Sequence, residues 1–206
     1  MRAVMLLLLA GCSGPAASPR PPMPAPAARG ELRTPASFDV IADPSARSQA
    51  MFAEIGRVLT HPRCVNCHPA DDSPRQGELH AMHDPPVVRG AGGRGTAALP
   101  CAGCHQDRNV ELARVPGAPN WHLAPSQMVW LDRSVGTICT QISDPQRNGG
   151  KTLAQIQDHL AHDSLVAWGW DPGSGRARPP GTQAQLAALF QAWMDAGAVC
   201  PQETVK

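Results

Sequence analysis

The feature that most constrains this chain is a pair of pentapeptides, Cys64 to His68 and Cys101 to His105, that share the pattern C-x-x-C-H. The pattern is typical of covalent c-type haem attachment. Two thiols three positions apart can both reach the vinyl groups along one porphyrin edge, and the next residue places an imidazole under the iron. We therefore expect two haem c groups. The thioethers would be Cys64, Cys67, Cys101 and Cys104, and the proximal iron ligands His68 and His105.

Two alternatives use the same cysteines. Because C-x2-C repeated along a chain is also a zinc signature, one zinc ion could bind Cys64, Cys67, Cys101 and Cys104. A thioredoxin-like redox pair needs only one such motif, between a strand and a helix, and no histidine after it. The chain has only 8 His in 206 residues, yet one follows each cysteine pair. This coincidence favours haem.

The N-terminus indicates export. The apolar run from Ala3 to Ala10 is far shorter than the roughly 20 residues of a membrane-spanning helix, which predicts a signal peptide over residues 1–11. The run ends in Leu9-Ala10-Gly11-Cys12, which resembles the lipobox of bacterial lipoproteins. We expect cleavage before Cys12, lipid on its thiol, and a periplasm-facing protein anchored to a bacterial membrane. The alternative is an ordinary secretory signal with Cys12 unmodified.

Composition divides the rest of the chain. Residues 12–36 are rich in Pro and Ala, and this predicts a disordered tether. The remainder, residues 37–206, has the length of one domain, and the two motifs lie too close together for two independent ones. With 18 basic and 17 acidic side chains the protein is almost neutral, which makes nucleic acid an unexpected partner. Its glycine-rich loop lacks the lysine of a nucleotide-binding loop.

Helical signals dominate the domain. Cap residues and apolar periodicity predict helices over about 44–59, 134–142 and 152–162, with a last one from the cap Thr182 to Gly197. A short turn or helix is expected around 125–131, and no segment has a convincing strand pattern. The predicted fold class is mainly α: a cytochrome c-like two-haem single domain with long irregular loops and no substantial sheet.

Two further cysteines, Cys139 and Cys200, remain outside the motifs. In an exported protein two spare cysteines are expected to form a disulfide, and this one would close a loop of about 60 residues. The alternative is two free buried thiols.

The far side of each iron decides the chemistry. A second His or Met closes the site for electron transfer, whereas an open position admits oxygen, peroxide or substrate. His83 follows His68 at about the spacing with which His122 follows His105, so both are expected as distal ligands. The substitutes are His159, on an amphipathic helix, and the thioethers of Met82 and Met128. His61 and His80 lie only three residues before Cys64 and His83, so both are expected not to bind iron.

Several segments resemble one family of exported bacterial two-haem proteins, whose members often carry the name isoquinoline 1-oxidoreductase subunit. The resemblance runs from about Phe52 to Pro201 and is carried by residues 52–68, 83–87, 121–125, 148–152 and 168–170. It implies service to a molybdenum hydroxylase as an electron acceptor. It also supports His83, His122 and His159 as ligands over His61, His80 and His162. The chain itself has no molybdopterin or iron-sulfur motif.

The leading functional hypothesis is a lipid-anchored dihaem c-type cytochrome. It would pass single electrons from a periplasmic dehydrogenase to a respiratory acceptor such as a cytochrome or oxidase. A second hypothesis is a dihaem peroxidase-like enzyme with one open haem. A third is a haem-based sensor or a structural subunit of a larger complex.

Overall fold

The computed structural model describes residues 23–25, 27–28 and 30–202. The expected signal peptide and the lipidation site Cys12 lie outside these residues. Within them the fold is mainly helical, as predicted, and the only sheet has two strands.

Six α-helices carry most of the regular structure of the described residues. In chain order they are α1 Pro44–Leu59, α2 Pro62–Val65, α3 Val135–Ser143, α4 Leu153–His162, α5 Ser164–Trp168 and α6 Gln183–Asp195. The strands β1 Arg75–Gln76 and β2 Ala81–Met82 pair antiparallel, with Arg75 opposite Met82. Short 3-10 helices cover Pro35–Phe38, Ala91–Gly93, Cys101–Gly103 and Glu111–Ala113.

The predicted helices begin where their caps are. Asp43 accepts a hydrogen bond from the Ala46 amide at the start of α1, and Pro44 occupies the first helical position. Thr152 forms a capping box with Gln155 at the start of α4. Ser134 and Thr182 cap α3 and α6 in the same way, each accepting from the amide three residues on. Around residues 125–131 the chain forms turns and no helix.

The core lies where α1, α3, α4 and α6 pack together. At its centre the fully buried indole of Trp193 lies against the rings of Phe52 and Phe190, with centroids 4.8 and 5.0 Å away. The disulfide Cys139–Cys200 closes beside it, with an S–S distance of 2.05 Å. It joins α3 to the segment after α6, so the expected disulfide is present.

The packed domain begins before Ser37, the expected boundary. Leu32 is buried in the core, and the backbone amide of Gly181 donates to the carbonyl of Gly30. Arg33 pairs with the buried carboxylate of Glu54 at 3.4 Å. The proline-rich composition therefore overestimates the tether, because Leu32 and Arg33 have partners on the domain that the local sequence does not reveal.

The segment from residue 66 to 134 is mostly irregular and holds both strands and three of the 3-10 helices. It contacts Trp168 of α5 through Asn109 and Trp121, and it contains the whole second motif. Of the helices in the described residues, none is long and apolar enough to cross a membrane.

Candidate functional site

The first motif begins on α2, which follows α1 after a two-residue break. His61 caps α2, and Pro62 takes its first position. Burial raises the pKa of the Cys64 thiol to about 12 and that of Cys67 to about 11, so both thiols are protonated at neutral pH. The capped helix α2 thus fixes the start of the motif, and the packing around it shields both sulfurs from water.

His68, which ends the first motif, is fixed on two sides. Its Nδ1 lies 3.0 Å from the carbonyl oxygen of Met128, and its ring stacks on Trp130 with centroids 3.4 Å apart and planes inclined by 5°. Burial lowers its pKa to about 3, so the imidazole is neutral. Since the carbonyl can only accept, the ring proton sits on Nδ1, which leaves the Nε2 lone pair free to bind a metal ion.

The second motif holds its histidine in the same way, with a backbone carbonyl and a tryptophan, but it begins on a 3-10 helix and not on an α-helix. It begins on the 3-10 helix Cys101–Gly103, anchored where the Cys101 amide donates to the Arg94 carbonyl. Nδ1 of His105 lies 2.7 Å from the carbonyl oxygen of Pro116. Its ring stacks on Trp121 with centroids 4.5 Å apart and planes inclined by 6°, and burial lowers its pKa. His105 thus also offers a neutral Nε2.

Two cavities lie beside the motifs. The larger, about 690 Å³, is lined by Cys101, Cys104 and His105 together with His83. The smaller, about 170 Å³, is lined by Cys64, Cys67 and His68 together with Met128 and His159. Both are bordered by Arg63, Cys67, His122 and Trp168, so the two sites are neighbours that share a wall.

His83 does not lie with the motif that precedes it in the sequence. Its ring is 5.9 Å from the ring of His105, centroid to centroid, with the planes at 64°. Its Nδ1 is 2.8 Å from the carbonyl oxygen of Pro85, which again places the proton on Nδ1. The similar spacing along the chain predicts a motif, a loop and a histidine in each half, but the loop carries His83 across to the second motif.

Two other histidines lie close to the first motif. His159 and His122 are both near enough to His68 for their charge to oppose its protonation, and the effect of His159 is the larger. Nδ1 of His159 is 3.4 Å from Asp163 Oδ2, and Nδ1 of His122 contacts the carbonyl oxygen of Asn120. Their Nε2 atoms are therefore also available.

The histidines that sequence reasoning set aside are engaged elsewhere. His61 Nδ1 accepts from the backbone amide of Arg63 at 3.2 Å, so its proton sits on Nε2 and this tautomer cannot bind a metal through Nε2. His80 bonds to Asn66 at 2.8 Å, and exposed His162 bonds to Asp158 at 2.8 Å. Of the two methionines, Met82 is exposed on β2, whereas Met128 is buried at the smaller cavity.

Sequence reasoning gave Trp168 a place against a haem face but assigned no role to Trp121 or Trp130. Trp121 and Trp130 hold the two motif histidines, and Trp168 packs edge-on against Trp121 with centroids 4.8 Å apart. Trp168 Nε1 donates to Asn109 Oδ1 at 2.9 Å, which fixes the indole between the cavities. The available signal was that only five Trp occur in the chain and two stand within residues 121–130.

Cys67 lines the larger cavity together with Cys101 and Cys104, but in the described part of the chain the cysteines are not grouped as ligands of one ion. Across residues 23–25, 27–28 and 30–202, no three His, Cys, Asp or Glu side chains are grouped as ligands of one metal ion. The four motif cysteines therefore do not form the single cluster that the zinc alternative needs.

No protein-family model, curated protein or solved structure matches this chain.

Proposed function

We propose that this chain is a c-type cytochrome that binds two haems and carries single electrons. The observation that carries the proposal is the matched environment of His68 and His105. Each imidazole follows a C-x-x-C pair, is neutral, gives its Nδ1 proton to a backbone carbonyl and stacks on a tryptophan. Such outer hydrogen bonds are typical of histidines that bind metals, because they fix the ring orientation and the tautomer.

The proposed attachment uses all four motif cysteines. Cys64 and Cys67 would form the thioethers of one haem, and Cys101 and Cys104 those of the other. The larger cavity, about 690 Å³, falls within the range of about 300–1,000 Å³ typical of cofactor sites. The smaller one, about 170 Å³, lies below this range, so a haem at the first motif requires its lining side chains to move apart.

His83 is the proposed distal ligand at the second motif. A metal–nitrogen bond is about 2 Å long, so two imidazoles that would hold one metal ion have ring centroids within about 6 Å of each other. The 5.9 Å between His83 and His105 agrees with this separation. His159 is the proposed distal ligand at the first motif, where Asp163 holds its Nδ1, and His122 is its substitute.

Bound haem supplies reversible one-electron exchange between ferric and ferrous iron. The chain's own residues bind the iron through neutral imidazoles, and the indoles of Trp121 and Trp130 hold those rings in place. Two histidines on an iron usually give a lower reduction potential than a histidine and a methionine. The proposed ligand set therefore suits a carrier that receives electrons from a dehydrogenase.

The cellular setting is part of the proposal. Export and lipid attachment at Cys12 would place the domain on the periplasmic side of a bacterial membrane. The donor would be a dehydrogenase, which the family resemblance narrows to a molybdenum hydroxylase, and the acceptor a respiratory cytochrome or oxidase.

A peroxidase-like enzyme with one open haem is the second candidate. The observation that favours it is the difference between the sites. His83 is in ring contact with His105, whereas His159 and His122 influence His68 only through their charge. An iron that lacks a sixth protein ligand at the first motif would admit peroxide.

The first experiment is a haem count by the pyridine assay, with an electron paramagnetic resonance spectrum of the oxidised protein. Two haems per chain, both low-spin, are expected of the electron carrier. One high-spin iron together with turnover of peroxide would support the enzyme instead. A protein exported by a host that attaches haem c, but purified without haem, would contradict both.

A further inference from the structure

The larger cavity has a cationic wall. Six charged side chains line it, four of them arginines: Arg63, Arg75, Arg114 and Arg176 against Glu78 and Asp84. Much of the remaining lining is apolar: Leu79, Val87, Val88, Leu99 and Val115. Exposed Leu79 is 90% accessible. Such a cavity fits a ligand with an apolar body and negative charge on one edge.

Arg63 is the most deeply placed of these cations. Its side chain is only 4% exposed, and its Nη2 donates to Glu78 Oε1 at 2.6 Å. Its Nε is buried and has no hydrogen-bond partner among the described residues. An unpaired buried donor on a charged group is costly, so this face of the guanidinium is suited to a further acceptor.

Arg176 brings a second positive charge to the same place. Its Nη1 donates to the carbonyl oxygen of Pro172 at 2.9 Å, and its Nη2 contacts the carbonyl oxygen of Arg114. Burial lowers its pKa, and the charge of Arg63 lowers it next most strongly. Arg114 lowers it further, whereas the carboxylates of Glu111 and Glu78 act in the opposite direction. The two guanidiniums are therefore close enough to repel each other, and Glu78 is the carboxylate bound to Arg63. A further anion between the two arginines would relieve the repulsion.

We propose that Arg63 and Arg176 bind the propionate carboxylates of the porphyrin attached at the second motif. This inference rests on the proposed function and adds a role in setting the reduction potential. Planar guanidiniums are suited to carboxylates, which they can bind through two parallel hydrogen bonds. Glu78 already accepts a hydrogen bond from Arg63, so its carboxylate competes with the propionate for this guanidinium.

The pairing has a definite electrical consequence. A cation beside the carboxylate offsets its negative charge, so ferric iron is stabilised less and the reduction potential is higher. It also keeps the propionate ionised well below neutral pH. The potential of the second haem is therefore expected to be nearly independent of pH between 5 and 8.

The test is a spectroelectrochemical titration of the mature dihaem protein between pH 5 and 8. The variants are Arg63→Gln, Arg63→Lys and Arg176→Gln. Arg178→Gln is the control, because it removes the same charge from an exposed position two residues from Arg176. The haem content of each variant is counted before its titration.

Arg63→Gln and Arg176→Gln are each expected to shift the Fe(III)/Fe(II) equilibrium of one haem about tenfold towards ferric iron. For a one-electron couple this is a fall of about 59 mV. Their potentials should also begin to fall with rising pH inside the titrated range, because the propionate pKa has moved up into it. Arg63→Lys should keep most of the wild-type potential, and Arg178→Gln should keep all of it.

Shifts no larger than that of Arg178→Gln, with no new pH dependence, would overturn the inference while two bound haems leave the proposed function standing. Arg176 lies outside both motifs, so Arg176→Gln decides the matter if Arg63→Gln does not mature. A saturable response of the wild-type potential to added inorganic phosphate would also overturn it, because it would indicate a site for free anions. A wild-type protein without haem would remove the inference and the proposed function together.

Discussion

The indole of Trp130 lies parallel to the imidazole of His68, with ring centroids 3.4 Å apart. The same backbone segment supplies the Met128 carbonyl that fixes the tautomer of His68. A segment that follows the second motif therefore holds the histidine of the first. The backbone amides of Trp130 and Leu131 both donate to the His68 carbonyl, at 3.0 and 3.2 Å, which ties the segment down.

Trp130→Ala is expected to lower the free energy of unfolding by about 3–5 kcal/mol, because it removes a buried indole and the ring that supports His68. Trp130→Phe should cost much less, since Trp130 Nε1 has no hydrogen-bond partner among the described residues and its loss leaves nothing unsatisfied. Chemical denaturation followed by circular dichroism measures both. Equal losses for the two variants would show that ring stacking does not matter here.

His83→Ala is expected to produce high-spin iron at the second motif only. In a Cys101→Ala/Cys104→Ala background, which keeps only the first haem, the same substitution should leave the spectrum unchanged. Electron paramagnetic resonance of the four proteins measures this. His80→Ala is the matched control, because His80 stands on the same loop but bonds to Asn66. A high-spin signal that persists in the double-cysteine background would assign His83 to the first motif.

The sequence predicted His83 beside the first motif, whereas the structure places it beside His105 of the second. Periodicity and cap residues are local, and they correctly place α1, α4 and α6, whose starts are marked by Asp43, Thr152 and Thr182. The histidine pairing depends instead on where a long irregular loop returns. Contacts such as the Ala124 amide on the Cys67 carbonyl decide that return, and no short-range pattern encodes them.

The short helix α5 was missed for a related reason. Its five residues are too few for apolar periodicity, and only the cap at Asp163, which accepts from the Leu165 and Val166 amides, marks its start. The β1 and β2 pair is shorter still, with two residues in each strand. Both elements depend on tertiary contacts, whereas the motifs and the disulfide cysteines are recognisable from residue type and spacing alone.

Substitution of Asp163 should separate its two roles. Asp163→Asn keeps a good helix cap for α5 but removes the charge beside His159, whereas Asp163→Ala removes both. At pH 7 we expect Asp163→Asn to lose the stabilisation that the ionised carboxylate gains beside His159. The reduction potential of the first haem should rise, because the weaker hydrogen bond lowers the basicity of His159. Asp163→Ala should in addition lose about 1 kcal/mol of stability.

Potentiometry and denaturation measure the two effects separately. An unchanged potential in Asp163→Asn would argue against His159 as a ligand of the first haem.

The pH dependence of stability gives a further prediction, because the hydrogen bond from His159 lowers the pKa of Asp163 to about 2. The unfolded carboxyl has an ordinary pKa near 3.9, so this stabilisation is complete above about pH 4 and is lost as the pH falls towards 2. Asp163→Asn should flatten that part of the stability curve.

The disulfide gives a prediction that is independent of haem. Cys139 and Cys200 are 61 residues apart, so replacing both with serine should lower the free energy of unfolding by about 4 kcal/mol in the chain-entropy model. Denaturation with and without a reducing agent measures the effect. The reductant should destabilise the wild type and leave the double variant unchanged. A wild type that is insensitive to complete reduction would contradict the prediction.

The position of Met128 and Trp130 also limits how such a protein can be shortened. No N-terminal fragment that stops before the second motif contains the carbonyl and the indole that hold His68. A smaller single-haem protein could therefore lose the second cysteine pair, but it must keep the chain that follows this pair, because Met128 and Trp130 hold His68. The two halves are consecutive in the gene but are not separable parts.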